Sequence, residues 1–283
     1  MTETYRGMDR EALDTAYGNT RLIGLPALMA RRDDWSQRSR SFAELSGATL
    51  NIAYGAGTAH RLDIVRGQGP SPRPTIVYIH GGYWQVGEKE MYVHLGNVFA
   101  QAGFNFANIE YRLAPSATMP EIVDDVRQAL DHLVQKSSEF GADDNALYLI
   151  GHSAGAHLAA SHLDHPSVQG ALLVSGIYDL EPIRISPIND KVGLTASDVA
   201  AYSPLHQPYR SNASTVVAVG GEELPELQRQ SADYHARLLE CGRESRLIVV
   251  RGRDHFSILD EVEQPHGVLA VALLDLIARR ARG

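Results

Sequence analysis

From residue 75 onward, short β-branched or apolar runs alternate with longer segments whose apolar residues recur three and four apart. The runs at 75–79, 104–110, 146–150, 171–175, 215–219 and 246–250 lack the polar alternation of a half-exposed strand. They predict strands covered on both faces. Helices are predicted at 91–101, 122–140, 154–163, 227–240 and 268–278. This rhythm implies a mostly parallel central sheet with helices on both faces. Ahead of it, 48–54 and 60–65 flank Gly55-Ala56-Gly57 and predict an antiparallel N-terminal hairpin.

Two regions depart from the rhythm. Residues 1–47 hold helix-compatible stretches at 10–17 and 26–45 and no predicted strand. Residues 180–210 contain four prolines and weak periodicity, and are expected to form an inserted, lid-like segment over the sheet edge. The linker 67–74, with three prolines and two glycines, reads as a surface loop. The expected organisation is one domain, 1–283, with a helical arm at 1–47 and the insertion at 180–210.

Composition narrows the function. The 26 Lys+Arg against 34 Asp+Glu leave a net charge of −8, which argues against a nucleic-acid or anionic-membrane partner. Cys241 is the single cysteine, so neither an internal disulfide nor a cysteine-based metal site is available. The opening MTETYRGMDREALD is charged and is not expected to act as a secretory signal. The longest uninterrupted apolar run, 268–274, falls far short of the roughly 18 residues of a membrane helix. A soluble, cytoplasmic protein acting on a small molecule is expected, with a homodimer left open.

The predicted strand 146–150 runs into Gly151-His152-Ser153-Ala154-Gly155 and then a helix. That is the G-x-S-x-G nucleophile elbow in its proper setting, where small neighbours let a serine take a strained backbone at a sharp turn. A serine needs a base to take its proton. Of the 12 histidines, His255 follows the last predicted strand, at the carboxyl edge where open α/β sheets bind ligands. His152 is expected to point away along the elbow and His157 to turn into packing or solvent. His132, His162 and His235 are expected on helix surfaces.

The carboxylate that orients the imidazole should follow the strand 215–219. Glu222, Glu223 and Glu226 compete there, with Asp179 and Asp254 as further candidates, and spacing does not choose among them. The strand 75–79 ends in HGGYW, whose Gly81 and Gly82 can supply backbone N–H donors to a developing oxyanion. The Ala154 N–H would complete that set. Tyr83 and Trp84 stand beside the loop, placed either to stack on an aromatic substrate or to pack in the core.

The segments HGGYW (80–84), EYRLAP (110–115), GHSAGAHL (151–158), GGEELPELQRQS (220–231) and GRDHF (252–256) carry a family resemblance. The chain resembles an α/β-hydrolase of the hormone-sensitive-lipase-like group, and within it the kynurenine formamidase (arylformamidase) and small-esterase branch. The arm, with Leu13-Asp14-Thr15-Ala16-Tyr17, shares the likeness, so it spans nearly the whole chain. The family's triad carboxylate stands in a loop of the form G-x-x-D-x-P-E-F, which implies Glu223 here, a glutamate in place of aspartate. Ser116 is a second departure, since related esterases often carry glutamate there.

The resemblance implies a serine hydrolase with Ser153 as nucleophile, His255 as base and Glu223 as its orienting acid. It implies no metal or organic cofactor and an aryl formamide substrate such as N-formylkynurenine. A short-chain acyl ester is the alternative substrate, and a catalytically inactive hydrolase-fold binding protein is the alternative of another class. A metal-dependent hydrolase would need paired histidine ligands on a helix, and no H-x-x-x-H spacing occurs.

Overall fold

The alternating runs assemble, in a computed structural model describing residues 3–282, into one eight-stranded sheet. The strands are β1 (Thr49–Ala53), β2 (Arg61–Val65), β3 (Arg73–Ile79), β4 (Asn105–Ile109), β5 (Ala142–His152), β6 (Val168–Val174), β7 (Ser214–Gly220) and β8 (Ser245–Val250). Their order across the sheet is β1-β2-β4-β3-β5-β6-β7-β8. The β1–β2 and β2–β4 pairs are antiparallel and every other pair is parallel. The expected mixed sheet with its N-terminal hairpin is therefore present.

Period-2 side-chain geometry divides the strands between two cores. Val77, Ile79, Leu149, Leu173 and Val217 face one side, while Ile76, Tyr78, Ile150, Leu172 and Val216 face the other. Both sides are apolar because helices cover both, and each fully buried aliphatic side chain stabilises the fold by about 1.5–3 kcal/mol.

The arm forms α1 (Arg10–Ala16), α2 (Asn19–Ile23) and α3 (Leu25–Ser46). Next come α4 (Gly96–Gln101), α5 (Met119–Gln135), α6 (Ser137–Phe140) and α7 (Ala154–Ser161). Residues 180–210 fold as α8 (Glu181–Ile185), α9 (Asn189–Val192), α10 (Ala196–Tyr202) and a 3-10 turn. The chain continues through α11 (Pro225–Glu240) and α12 (Asp260–Glu263) to α13 (Val268–Arg280). Helices α5, α7 and α11 cover the first core, and α4 and α13 the second, with Trp35 of α3 added to it. Residues 180–210 pack beside α5, α7 and α11 and against α1, where Arg10 pairs with Asp190 at 2.6 Å.

Three local expectations change. The helix predicted at 91–101 is two 3-10 turns followed by α4. Tertiary contacts override helical periodicity there: buried Lys89 holds Asp63 at 2.8 Å, and its N–H donates to Glu110. The helix predicted at 122–140 breaks after Gln135, and α6 ends at Gly141 in the left-handed region. Helix α2 went unpredicted because five residues are too few to display a period. Among the described residues, no helix is long and apolar enough to cross a membrane.

Candidate active site

The strand-to-helix turn between β5 and α7 holds Ser153 at φ 57°, ψ −120°. A left-handed backbone costs an L-residue roughly 1–2 kcal/mol, so the surrounding chain must enforce it. The Ser153 N–H donates to the Val174 carbonyl at 2.8 Å, tying the turn to β6. Gly155 is required by close approach, because a Cβ there would lie 2.0 Å from the Ile79 carbonyl oxygen. The sharp turn and tight packing lift the serine hydroxyl to the carboxyl edge of the sheet.

His255 sits on the loop after β8. Its Nε2 is 3.0 Å from Ser153 Oγ and its Nδ1 is 2.7 Å from Glu223 Oε2. These are hydrogen-bond distances, and the three side chains are buried. The other Glu223 oxygen, Oε1, accepts the Ser175 hydroxyl and the Gly220 N–H, both at 2.6 Å. Burial pushes the Glu223 carboxyl up, but His255 and these two donors outweigh it and hold it below the usual carboxylate range.

The rival carboxylates are engaged elsewhere. Glu222 is exposed. Glu226 accepts from Arg229 and from the Tyr17 hydroxyl, and Asp179 accepts the Tyr5 hydroxyl at 2.8 Å. Asp254 caps its own loop, taking the N–H groups of Phe256 and Ser257.

Histidine placement departs from expectation at two positions. His152 does not point away: its ring centroid is 4.8 Å from that of His255, and its Nε2–H donates to the His255 carbonyl at 2.7 Å. Burial, with His255 adjacent, lowers its pKa to about 3, so it stays neutral. It supports the His255 loop from beneath. His162 is buried with Nδ1 against the Leu158 carbonyl, not on a helix surface. His157 turns into packing, with Nε2 against the Tyr202 carbonyl.

The HGG loop closes the other side. Gly82 has φ 119°, and a Cβ on it would stand 1.8 Å from the Val86 carbonyl oxygen. Gly81 packs so closely on the elbow that a Cβ would lie 2.9 Å from Ser153 Cβ. The amides of Gly81, Gly82 and Ala154 donate to no acceptor among the described residues. His80 is buried between Glu110, at 2.8 Å from Nε2, and the Gly81 carbonyl, at 2.8 Å from Nδ1. Both acceptors favour an N–H on the ring nitrogen that faces them. Burial lowers its pKa, yet Glu110 more than compensates and raises it. Glu110 is lowered in turn, its burial outweighed by His80 and by the Lys89 and Tyr111 N–H groups.

Ser153, His255, His152, Gly81, Gly82 and Tyr83 line one cleft of about 110 Å³. Tyr83 faces it with its hydroxyl donating to the Tyr17 carbonyl at 2.6 Å. Trp84, expected beside the substrate as an alternative to core packing, lies in the core: it is fully buried, edge-on to His157 at 5.0 Å, and does not line the cleft. The opposite wall comes from the arm, through Asn19, Thr20, Leu28, Arg32 and Trp35. Sequence reasoning missed that wall, although 28, 32 and 35 carry the i, i+4, i+7 spacing of one helix face. The segment 180–210 contributes no residue to the lining. No group of three or more metal-ligating side chains occurs among the described residues.

The sheet order, the elbow and the cleft at the carboxyl edge define an α/β-hydrolase. Residues 62–171 match the family described as BD-FAE. The chain is 33% identical over 258 residues to the kynurenine formamidase of Danio rerio, with 86% of each chain covered. It belongs to the kynurenine formamidase family. A protein from Silicibacter sp. TM1040, provisionally designated a thioesterase, matches the fold with a TM-score of 0.84 at 26% identity, over 93% of this chain and 98% of that one. A bacterial heroin esterase matches with a TM-score of 0.69 at 25% identity, over 93% of both chains. The resemblance read from the motifs is thus borne out, and the chain is an esterase-type hydrolase of the α/β fold.

Proposed function

We propose that the chain is a serine hydrolase that cleaves a small aryl formamide, such as N-formylkynurenine, through an acyl-enzyme. The observation that carries this reading is the continuous relay Ser153 Oγ–His255 Nε2, His255 Nδ1–Glu223 Oε2, at 3.0 and 2.7 Å. Ser153 attacks the formyl carbon while His255 takes its proton, and Glu223 stabilises the imidazolium that forms. The N–H groups of Gly81, Gly82 and Ala154 receive the negative oxygen, a contribution of about 10²–10³ in rate per donor. His255 returns the proton to the leaving amine. Water then attacks the formyl-serine with His255 again as base, releasing formate.

The cleft is small, about 110 Å³, and Leu28 and Trp35 of the arm give it apolar lining that an aryl group can meet. A second reading, hydrolysis of short-acyl esters, draws support from the likeness to a heroin esterase. The same three side chains serve both reactions. Comparing kcat/KM for N-formylkynurenine and p-nitrophenyl acetate separates them: the formamide reading requires the former to exceed the latter. A fluorophosphonate reagent should label the wild type and not Ser153→Ala. Absence of labelling in the wild type would make the chain an inactive hydrolase-fold binder.

A further inference from the structure

Arg32 is the single residue with a full charge among the described residues that line the cleft, and no carboxylate accompanies it there. It lies on α3 with Leu28 and Trp35, one helix face turned to the cavity. Its helical neighbours are neutralised: Arg31 pairs with Asp260 at 3.1 Å, and Arg38 pairs with Asp34 at 2.8 Å and also with Glu263. Arg32 has no ion-pair or hydrogen-bond partner among the described residues, although it is only half-exposed. A guanidinium held over a largely apolar cleft is poorly solvated, and its natural complement is a carboxylate taken up in fork geometry.

A second polar group on the same wall is also unsatisfied. Asn19 is buried, and its Nδ2 donates to the Tyr83 hydroxyl at 3.3 Å. That hydroxyl spends its own proton on the Tyr17 carbonyl, which sets the amide orientation and leaves Asn19 Oδ1 without a donor. Arg32 thus offers charge and Asn19 an acceptor, both from the arm and both on the lining of the cleft that holds Ser153.

We propose that Arg32 selects substrates whose leaving group bears a carboxylate, making the N-terminal arm the specificity wall of the cleft. This rests on the hydrolase reading for the orientation of the substrate, but its test does not need turnover. In the Ser153→Ala background, 2-, 3- and 4-acetamidobenzoate are titrated by calorimetry against neutral acetanilide. At least one anionic isomer should bind tighter than acetanilide by about tenfold, the effect of one charge-assisted contact. Adding Arg32→Gln should erase that preference while acetanilide binding stays unchanged, and Arg32→Lys should restore part of it. The preference should also weaken as salt is raised. An equal affinity for anionic and neutral ligands, or a preference that survives Arg32→Gln, overturns the assignment. So does an Arg32→Gln loss that is the same for acetanilide. A formamidase assay that fails while this preference stands would instead count against the formamide reading alone.

Discussion

Glu223 Oε2 stands 2.7 Å from His255 Nδ1, although the two residues are 32 apart in sequence and lie on loops after neighbouring strands. The β7–β8 pairing brings the loops together, and the glutamate side chain, one methylene longer than an aspartate, spans the gap between them. Its other oxygen is held by Ser175 and Gly220, so the extra methylene does not leave the carboxylate free to rotate.

Glu223→Ala should lower kcat by about 10³- to 10⁴-fold, because the imidazole loses its orienting partner and the charge that stabilises it. Glu222→Ala, at an exposed position, should leave turnover within twofold, about the noise of such assays. Steady-state kinetics of the two variants side by side give the answer, and equal losses would refute the role of Glu223.

Gly82→Ala places a methyl group where the Val86 carbonyl lies 1.8 Å away, so the loop must move. With a donor displaced from the oxyanion, kcat should fall by about 10²-fold or more while KM changes little. Circular dichroism distinguishes this from global unfolding.

Trp84 and Tyr83 should respond differently to loss of their polar atoms. Trp84→Phe removes volume from the core and an indole N–H that has no partner among the described residues. It should cost about 1–2 kcal/mol of stability with KM unaltered. Tyr83→Phe cuts the tie to Tyr17 and Asn19 at the cleft and should raise KM. Thermal melts paired with kinetics read both effects.

The His80–Glu110 pair makes stability depend on pH. Glu110, whose pKa is lowered from 4.5, contributes fully above pH 4.5 and loses its contribution as pH falls through the lowered value. His80, whose pKa is raised from 6.5, contributes fully below pH 6.5 and loses its contribution as pH rises through the raised value. The advantage of wild type over Glu110→Gln should therefore peak between pH 4.5 and 6.5, at about 3 kcal/mol for a broken buried pair. Chemical denaturation across pH 3–9, roughly the accessible range, would contradict this if the difference stayed flat.

The strand–helix alternation, the elbow at Ser153 and the glycine loop at Gly81 and Gly82 were legible in the linear chain. Each depends on local physics: β-branched runs favour buried strands, and small residues are needed where backbones nearly touch. The candidate carboxylate was not legible from spacing, since Glu222, Glu223 and Glu226 differ only in which way a loop turns them, and the family likeness was needed to single one out. The inward turn of His152, the core burial of Trp84 and the arm wall holding Arg32 were decided by packing between segments far apart in sequence. Periodicity records how a segment meets its own helix or strand face. Which distant surface that face meets is decided by the closing of the sheet and the docking of the arm, and there the shape of the cleft arises.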